Sequence, residues 1–260
     1  MNYEIAKKDF EKTKILFHFT DFESLKLILE TKTFRLSRIS NLDDKEEKKY
    51  IPQFFRNKVF TMSFTSCIKE YFWNEYTKGM GKKGGVIIKI SNNNKWYFDI
   101  QSESGFKYNY INKTDVNYKS YDNAEDWGIY DISGLKVCYK DNPLKDYTIN
   151  REILTLYSGC SIFNDNPSRL INIENPGYVK ESKWDIEEEF RIRVTMRPKG
   201  FEESIEYCKN VIHETPFTYI YLNMQNNFDL MEILISSDFE YKDELFQICS
   251  SIGIKCTIID

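Results

Sequence analysis

The sequence contains few histidines and no long run of apolar residues. Only His18 and His213 are present in the 260 residues, and neither has a cysteine or second histidine at the spacing of a zinc site. We therefore expect no metal cofactor. No stretch reaches the roughly 18 consecutive apolar residues that a membrane helix requires, so no membrane-spanning segment and no membrane partner are predicted.

Signals for secretion, disulfides and phosphate loops are absent as well. Residues 1–14 alternate acidic and basic side chains without the apolar core of a signal peptide, which predicts a cytoplasmic protein. The 6 cysteines are scattered and include no Cys-x-x-Cys pair, so we expect buried, reduced thiols rather than disulfides. Neither Gly-x-x-x-x-Gly-Lys-Ser/Thr nor Gly-x-Gly-x-x-Gly occurs, which excludes both common phosphate-binding loops.

The composition that remains is typical of a globular chain. Hydrophobic residues make up 41% of the sequence and aromatic residues 16%, which is unlike a disordered chain. The length predicts a single domain over residues 1–260. Lys and Arg number 36 against 40 Asp and Glu, a net charge of −4, which excludes a broadly basic surface that coats nucleic acid.

Local patterns predict an α+β fold, with helices early and late and many strands between them. Thr20 and Glu23 form a capping box before an apolar helical face, so a helix is expected over about residues 21–31. Further helices are predicted up to about Arg56, over 68–81, over 150–160, and from Asp238, where Ser237 and Glu240 form the cap, to Gly253. Strands are predicted over 14–20, 33–39, 58–66, 85–90, 187–196, 217–224, 231–237 and 255–260.

The first candidate site residues end the first predicted strand. His18 and Thr20 follow the apolar segment Ile15–Phe17. A core-edge histidine followed by a helix cap is one interpretation, because threonine is a preferred N-cap residue. The other is a functional one, in which the imidazole at a strand tip binds a ligand hydroxyl or phosphate.

Two further signals lie between residues 58 and 81. Alternation places Ser63 and Thr65 on one face of a strand, where small hydroxyl residues would let a ribose approach closely or would simply end the strand. The next helix carries Trp73 and Tyr76, which are core residues at helical spacing or stacking partners for a planar ring.

The strongest signal is the acidic segment before Arg191. On a strand, Glu187, Glu189 and Arg191 point to the same side, and the two carboxylates lie about 7 Å apart. As a solvated face, this group would be unremarkable. As a site, one carboxylate would stabilise a developing cation, the other would orient a nucleophile, and Arg191 would keep both ionised.

These segments together resemble the bacterial domain-of-unknown-function family numbered 2971. The resemblance rests on LFHFTDFESLKLILETKTFRLSRISNLDD, FTMSFTS, FWNEYTKG followed by GVIIKI, and YVKESKWDIEEEFRI. It is carried chiefly by Tyr178, Lys180, Trp184, Glu187, Glu189 and Arg191. The chain departs from the family pattern at Asn41-Leu42-Asp43-Asp44-Lys45, where the usual proline and phenylalanine are missing.

In the order of its motifs, that family is similar to ADP-ribosyltransferase-like enzymes, which implies split mixed β-sheets flanked by helices and NAD as the substrate. The resemblance implies that Glu189 is the catalytic carboxylate and that Glu187 supports it. The NAD-binding residues it implies are His18 and Thr20 on the first strand, Ser63 and Thr65 on the second, Trp73 and Tyr76 beside the ring, and Arg38 or Arg191 at the pyrophosphate.

The expected function is transfer of ADP-ribose from NAD to a macromolecular acceptor, which would be protein, RNA or DNA. A bacterial toxin or phage-defence effector, with an antitoxin as a candidate partner, fits that activity. Two alternatives stay open: an NAD glycohydrolase, and a non-enzymatic module that binds a nucleotide or a partner protein. A glycoside hydrolase is less favoured because Glu187 and Glu189 are predicted on one strand, whereas such enzymes place carboxylates on opposite sides of the bond.

Overall fold

The computed structural model describes ten stretches of the chain. They are residues 3–42, 56–78, 85–92, 98–101, 107–110, 116–117, 127–141, 177–198, 218–223 and 228–259. Most of the charged helix expected before Arg56 and the whole helix expected over 150–160 lie outside these residues. Within the ten stretches, no helix is long and apolar enough to cross a membrane.

The described residues form a mixed α+β structure in which strands predominate. The helices are α1 (Tyr3–Lys12), α2 (Phe22–Thr31), α3 (Glu70–Phe72, continued as a π-helical turn over Trp73–Lys78) and α4 (Lys242–Ser251), with 3₁₀ turns at Ile39–Asn41 and Ser182–Glu187. The strands are β1 (Ile15–Asp21), β2 (Thr33–Arg38), β3 (Val59–Thr65), β4 (Gly85–Asn92), β5 (Phe98–Gln101), β6 (Lys107–Tyr110), β7 (Val116–Asn117), β8 (Trp127–Lys136), β9 (Cys138–Lys140), β10 (Val179–Glu181), β11 (Glu189–Pro198), β12 (Tyr219–Asn223), β13 (Phe228–Ile235) and β14 (Lys255–Ile258).

Ten of these strands form one sheet. Its main order is β14-β13-β4-β1-β3-β2-β12-β7, and β11 joins β3 while β8 joins β11. All of its pairs are antiparallel except the parallel pair β13–β14. Two small sheets, β9–β10 and β5–β6, lie beside it. The β9–β10 sheet carries residues that reach the candidate site.

The edge of β3 is shared between two strands, and this sharing opens a gap. β2 pairs with its first half, through Ser37 opposite Thr61, whereas β1 pairs at its end, through Phe17 opposite Thr65. β1 then continues along β4 over seven positions, from Ile15 to Asp21. Between the two pairing points, a side chain of β1 rather than a paired strand fills the space beside β3.

The predicted alternation along β11 is confirmed on its apolar face. Phe190, Ile192, Val194 and Met196 all belong to the main hydrophobic core. The opposite face is not solvated as a half-buried strand would be, because Arg191 and Arg193 are buried too. The segment around Tyr178 covers them: the Arg193 guanidinium lies 4.7 Å from the centre of the Tyr178 ring. Burial of both faces is possible here because each guanidinium has a partner.

The expected caps of two helices were wrong. Asp21, not Thr20, caps α2, since its Oδ1 accepts a hydrogen bond of 2.8 Å from the Ser24 backbone N–H. Asp is an equally good cap, and Thr20 remains in β1 opposite Val86. The last helix begins at Lys242 rather than Asp238 and has no side-chain cap. Helix α1 was not predicted at all.

One glycine in the segment over β11 tests how tightly that segment is packed. Gly177 has φ +83°, and an added Cβ would lie 3.0 Å from Ile39 Cδ1 and 3.2 Å from Thr61 Cγ2. Gly253 has φ +70° with nothing within 4 Å. We expect Gly253→Ala to lower the free energy of unfolding by about 1–2 kcal/mol from backbone strain alone. Gly177→Ala should lower the free energy of unfolding by about 1–3 kcal/mol more than Gly253→Ala, because the added methyl group overpacks the segment. Chemical denaturation of both variants would measure the difference. Equal losses would contradict the close packing.

Candidate functional site

A pocket of about 280 Å³ opens where β1 and β3 separate. Residues from β1, β3, α3, β10, the turn Ser182–Glu187 and β11 line it. They are Phe17, His18, Phe19, Leu42, Ser63, Phe64, Thr65, Phe72, Tyr76, Lys180, Glu187, Glu189 and Arg191. The pocket therefore joins one apolar, largely aromatic wall to one charged wall.

His18 occupies the gap between β1 and the middle of β3. Its Nδ1 lies 2.9 Å from the backbone carbonyl oxygen of Ser63, and its ring lies against Phe34 and Phe64. Because a carbonyl only accepts hydrogen bonds, Nδ1 must carry the proton. Burial lowers the pKa of His18 to about 4, although the bond to Ser63 opposes the shift. At neutral pH the ring is therefore uncharged, and Nε2 is a hydrogen-bond acceptor.

Glu189 begins β11 and is the most highly coordinated carboxylate of the pocket. Its Oε1 lies 2.5 Å from Arg191 Nε and accepts a hydrogen bond from the Ser63 hydroxyl. Its Oε2 lies 3.1 Å from Arg191 Nη2 and 3.2 Å from Lys180 Nζ. Burial alone would raise the pKa of Glu189, but Arg191 and Lys180 outweigh it and hold the value at about 2. This carboxylate is ionised throughout the physiological range.

Glu187 is not on the strand, contrary to the expectation that it shares a strand face with Glu189. It ends the 3₁₀ turn Ser182–Glu187, and Glu188 then adopts a left-handed conformation with φ 42° before β11 begins. The reversal at Glu188 still turns Glu187 into the pocket, so both carboxylates are buried there. They reach the same place by a turn rather than by strand alternation.

The environment of Glu187 differs from that of Glu189. Its Oε2 lies 2.6 Å from Lys180 Nζ, and its Oε1 accepts a hydrogen bond of 3.2 Å from the Tyr76 hydroxyl. Burial raises the pKa of Glu187; Lys180 lowers it and Glu189 raises it again, with a net upward shift. The two neighbouring carboxylates thus have opposite pKa shifts, and Glu187 is the one better able to accept a proton.

Lys180 is a charged residue of the pocket to which the sequence patterns assigned no role in the site. It lies on β10, and its ammonium contacts both carboxylates, at 2.6 Å from Glu187 and 3.2 Å from Glu189. The Trp184 ring is 5.5 Å from the same ammonium, close enough for a cation–π contact. The only signal for Lys180 was its place among the motif residues, because no local periodicity relates β10 to β11.

The other predicted site residues divide into two groups. Thr65 and Tyr76 line the pocket, and the Thr65 hydroxyl donates to the Cys67 carbonyl at 3.1 Å. Thr20, Arg38 and Trp73 are not among the pocket-lining residues. Trp73 packs with Ile87 and Leu234 in a small core cluster, which is the structural interpretation of an aromatic at helical spacing.

The aromatic wall is built from three rings that contact one another. Phe72 and Tyr76 are stacked with centroids 5.9 Å apart, and Phe19 lies 5.4 Å from Phe72 and 6.1 Å from Tyr76. Phe19 comes from β1 and the other two from α3. A planar ring with an apolar face could pack here, a few ångströms from the carboxylates.

The arrangement of charges in the pocket suits stabilisation of a charged species. Two carboxylates and two cations line the pocket and pair with one another. Over the described stretches, no group of three or more His, Cys, Asp and Glu residues could hold a metal ion. Glu189 is a fixed anion, and the neighbouring Glu187 can accept a proton. Together these two groups suit a reaction in which positive charge develops on the substrate.

Comparisons with known proteins return nothing for this chain: no family model matches, and neither does any curated protein or solved structure. The family resemblance and the roles it implies therefore stay predictions.

Glu189→Gln should destabilise the protein strongly. The neutral amide leaves Arg191 and Lys180 buried without their shared anion, which costs about 3–5 kcal/mol in typical buried pairs. Glu188→Gln is the matched control, because the Glu188 side chain is 45% exposed and pairs with the partly exposed Lys69; its loss should stay below about 1 kcal/mol. Urea denaturation of both variants at pH 7 would measure the difference.

The contribution of Glu189 to the free energy of unfolding should decrease as the pH falls. The folded pKa of Glu189, about 2, lies below the unfolded value of about 4.3. The contribution of Glu189 to the free energy of unfolding is therefore fully present above pH ~5 and is lost as the pH falls toward 2. Urea titrations between pH 7 and 3 should show the wild-type advantage over Glu189→Gln shrinking on acidification. A constant difference would contradict the assignment.

The contribution of His18 to the free energy of unfolding should also depend on pH, but at less acidic pH than that of Glu189. The folded pKa of about 4 is below the ordinary value of about 6.5, so the unfolded chain takes up the proton first as the pH falls. Stability that depends on neutral His18 is present above pH ~6.5 and lost between there and pH ~4. The wild-type advantage over His18→Gln should therefore narrow from pH 7 to pH 4 in chemical denaturation, and parallel profiles would contradict a lowered pKa of His18.

Proposed function

We propose that this protein cleaves NAD between nicotinamide and ribose and transfers ADP-ribose to a macromolecular acceptor. The observation that carries the proposal is the convergence of three strands on one pocket. β1 brings His18, β3 brings Ser63 and Thr65, and β11 brings Glu189. The same order of positions, imidazole, then hydroxyls, then carboxylate, is what the ADP-ribosyltransferase-like arrangement implies, and we propose that fold for the chain.

Glu189 supplies the main electrostatic effect in this proposal. As the bond between C1′ of the ribose and N1 of nicotinamide breaks, the electron pair leaves with nicotinamide and positive charge develops on the ribose. A carboxylate already ionised and held by Arg191 and Ser63 stabilises that charge without reorganising. It binds the cationic transition state more tightly than the ground state, which is the requirement for catalysis.

Glu187 completes the proton balance. The acceptor nucleophile forms a new bond to C1′ and loses its proton, which passes to the Glu187 carboxylate. Burial and the nearby Glu189 raise the pKa of Glu187, and both make it a better base than an ordinary surface carboxylate. The Tyr76 hydroxyl, which donates to Glu187, orients it.

The remaining pocket residues have binding roles in the proposal. Neutral His18 offers Nε2 as an acceptor for a ribose hydroxyl, and the rings of Phe19, Phe72 and Tyr76 pack against nicotinamide. Arg191 donates to Glu189 and to the Gly177 carbonyl at 2.9 Å, so its role is to hold the carboxylate rather than to bind the pyrophosphate. An acceptor of protein, RNA or DNA, and a toxin or phage-defence role with an antitoxin, stay part of the proposal.

Hydrolysis is the second candidate reaction, and burial is the observation that favours it. The Glu187 side chain is only 7% exposed, so a water molecule reaches it more easily than a large acceptor does. Release of free ADP-ribose would then replace transfer, with the same two carboxylates in the same roles. A binding module without chemistry would bind NAD and release neither product.

Incubation with NAD labelled on the adenylate tests the proposal. We expect labelled macromolecule, together with nicotinamide release, from the wild-type protein in the presence of a bacterial extract. Glu187→Gln and Glu189→Gln should each reduce nicotinamide release by about a hundredfold or more, because each removes an electrostatic or proton-transfer contribution. Glu188→Gln, at the adjacent exposed position, should release nicotinamide at the wild-type rate.

The products distinguish the candidates. Label only in free ADP-ribose would overturn transfer in favour of hydrolysis. Thermal stabilisation by NAD without nicotinamide release would support a binding module. A wild-type rate in both glutamine variants would refute the catalytic assignment. Circular dichroism of Glu187→Gln and of Glu189→Gln would show whether the loss of activity in either variant reflects unfolding.

A further inference from the structure

Lys180 lies between the two carboxylates of the pocket and comes from outside the main sheet. Its strand, β10, pairs with β9 in parallel, through Lys180 opposite Tyr139. The Tyr139 hydroxyl accepts a hydrogen bond of 2.8 Å from the Glu189 backbone N–H, so β9 and β10 are joined to the start of β11. The small sheet therefore fixes where the ammonium stands relative to both carboxylates.

The contacts of this ammonium are unequal. Nζ lies 2.6 Å from Glu187 Oε2 but 3.2 Å from Glu189 Oε2. Glu189 also binds the guanidinium of Arg191, whereas the Oε1 atom of Glu187 is held by the neutral Tyr76 hydroxyl. Lys180 is thus the cation on which Glu187 depends most, and it stands where two like charges would otherwise repel each other.

We propose that Lys180 is a positioning residue that keeps the Glu187 carboxylate ionised and aimed into the pocket, ready to take the proton of the nucleophile. This inference rests on the proposed function. Lys180 remains an ammonium throughout: it neither gives nor receives a proton, and its hydrogen bond to Glu187 weakens as that carboxylate becomes protonated. The proton moves from nucleophile to Glu187 only.

Other titratable groups also face Glu187, and they set the direction of the expected effect. Glu189 on β11 raises the pKa of Glu187 by repulsion, whereas the Tyr76 hydroxyl on the π-helical turn lowers it by hydrogen bonding. Burial raises the pKa of the Tyr71 phenol on α3 and of the Tyr139 phenol on β9, and the nearby Glu187 charge raises both further. Loss of the Lys180 cation leaves the Tyr76 hydrogen bond to oppose both burial and the repulsion from Glu189, so Glu187 must become harder to ionise.

The pH dependence of nicotinamide release tests this role. In the wild-type protein the rate should fall on the acidic side as Glu187 becomes protonated. Lys180→Met and Lys180→Gln should move that acidic limb upward by about one pH unit or more, which is about a tenfold lower rate at a pH below the limb. Lys180→Arg keeps the charge and should return the limb toward its wild-type position.

Lys69→Met is the matched control. Lys69 Nζ lies 2.9 Å from Glu188 Oε1, so the two form a lysine–glutamate pair. Glu188 is adjacent to Glu187 in the sequence, but neither Lys69 nor Glu188 lines the pocket. Its replacement should leave the limb unchanged. An unshifted limb in both neutral variants of Lys180 would overturn the inference, as would an equal shift in Lys69→Met.

A second measurement keeps this inference separate from the proposed reaction. The side-chain carboxyl carbon of Glu187 can be followed by NMR in protein labelled at glutamate, with its signal assigned by its loss in Glu187→Gln. Its titration should move to higher pH in Lys180→Gln and return in Lys180→Arg, whether or not NAD is cleaved. Absence of nicotinamide release from the wild-type protein would refute the reaction alone, and an unmoved titration would refute the role of Lys180 alone.

Discussion

Two carboxylates and two cations share one buried pocket, and the surrounding structure is arranged to hold them. A buried carboxylate without a partner is so unfavourable that it takes up a proton instead. Here Arg191 binds Glu189 through both of its oxygens, and Lys180 joins Glu189 to Glu187. The β9–β10 pair must stand beside β11 to deliver Lys180, and the Gly177 carbonyl must accept from Arg191. Such clusters rarely add net stability, but they define a unique arrangement because each lost partner is costly.

A second acidic cluster shows what sets the pocket apart. Glu232 on β13 binds Lys255 at 2.6 Å, accepts a hydrogen bond from the Thr257 hydroxyl and binds Lys89 at 3.1 Å, and these bonds hold its pKa at about 2. It too is a buried glutamate between two lysines, yet it is not among the residues lining the pocket. Its role is to tie β4, β13 and β14 together. Paired charges alone therefore do not indicate a site. What distinguishes Glu187 and Glu189 is their shared cavity and the opposite shifts of their pKa values.

Local patterns predicted much of the fold and part of the pocket. The alternation along β11 and the runs of apolar and β-branched residues in β1, β3 and β4 are local signals that the sequence displays directly. The grouping of His18, Ser63 and Glu189 in space required the resemblance as well, because pairing between distant strands leaves no local trace. Three features were missed for physical reasons. Asp21 competed with Thr20 as an equally good cap. Glu188 turns the chain in the left-handed conformation, which Gly and Asn usually adopt and a glutamate does not signal. Lys180 reaches its partners through a separate small sheet.

The pocket residues lie far apart in the sequence, and this separation determines when the pocket can form during synthesis. Ser63 and Glu189, which share a hydrogen bond, are 126 positions apart. Closing so long a loop is slow relative to local structure, and during synthesis the early segments leave the ribosome well before the acidic turn exists. A partly synthesised or prematurely terminated chain would carry the imidazole and the hydroxyls without either carboxylate. Under the proposed reaction, only chains that extend past Glu187 and Glu189 could cleave NAD in the cell that makes them. Fragments that end before Glu187 would be inactive.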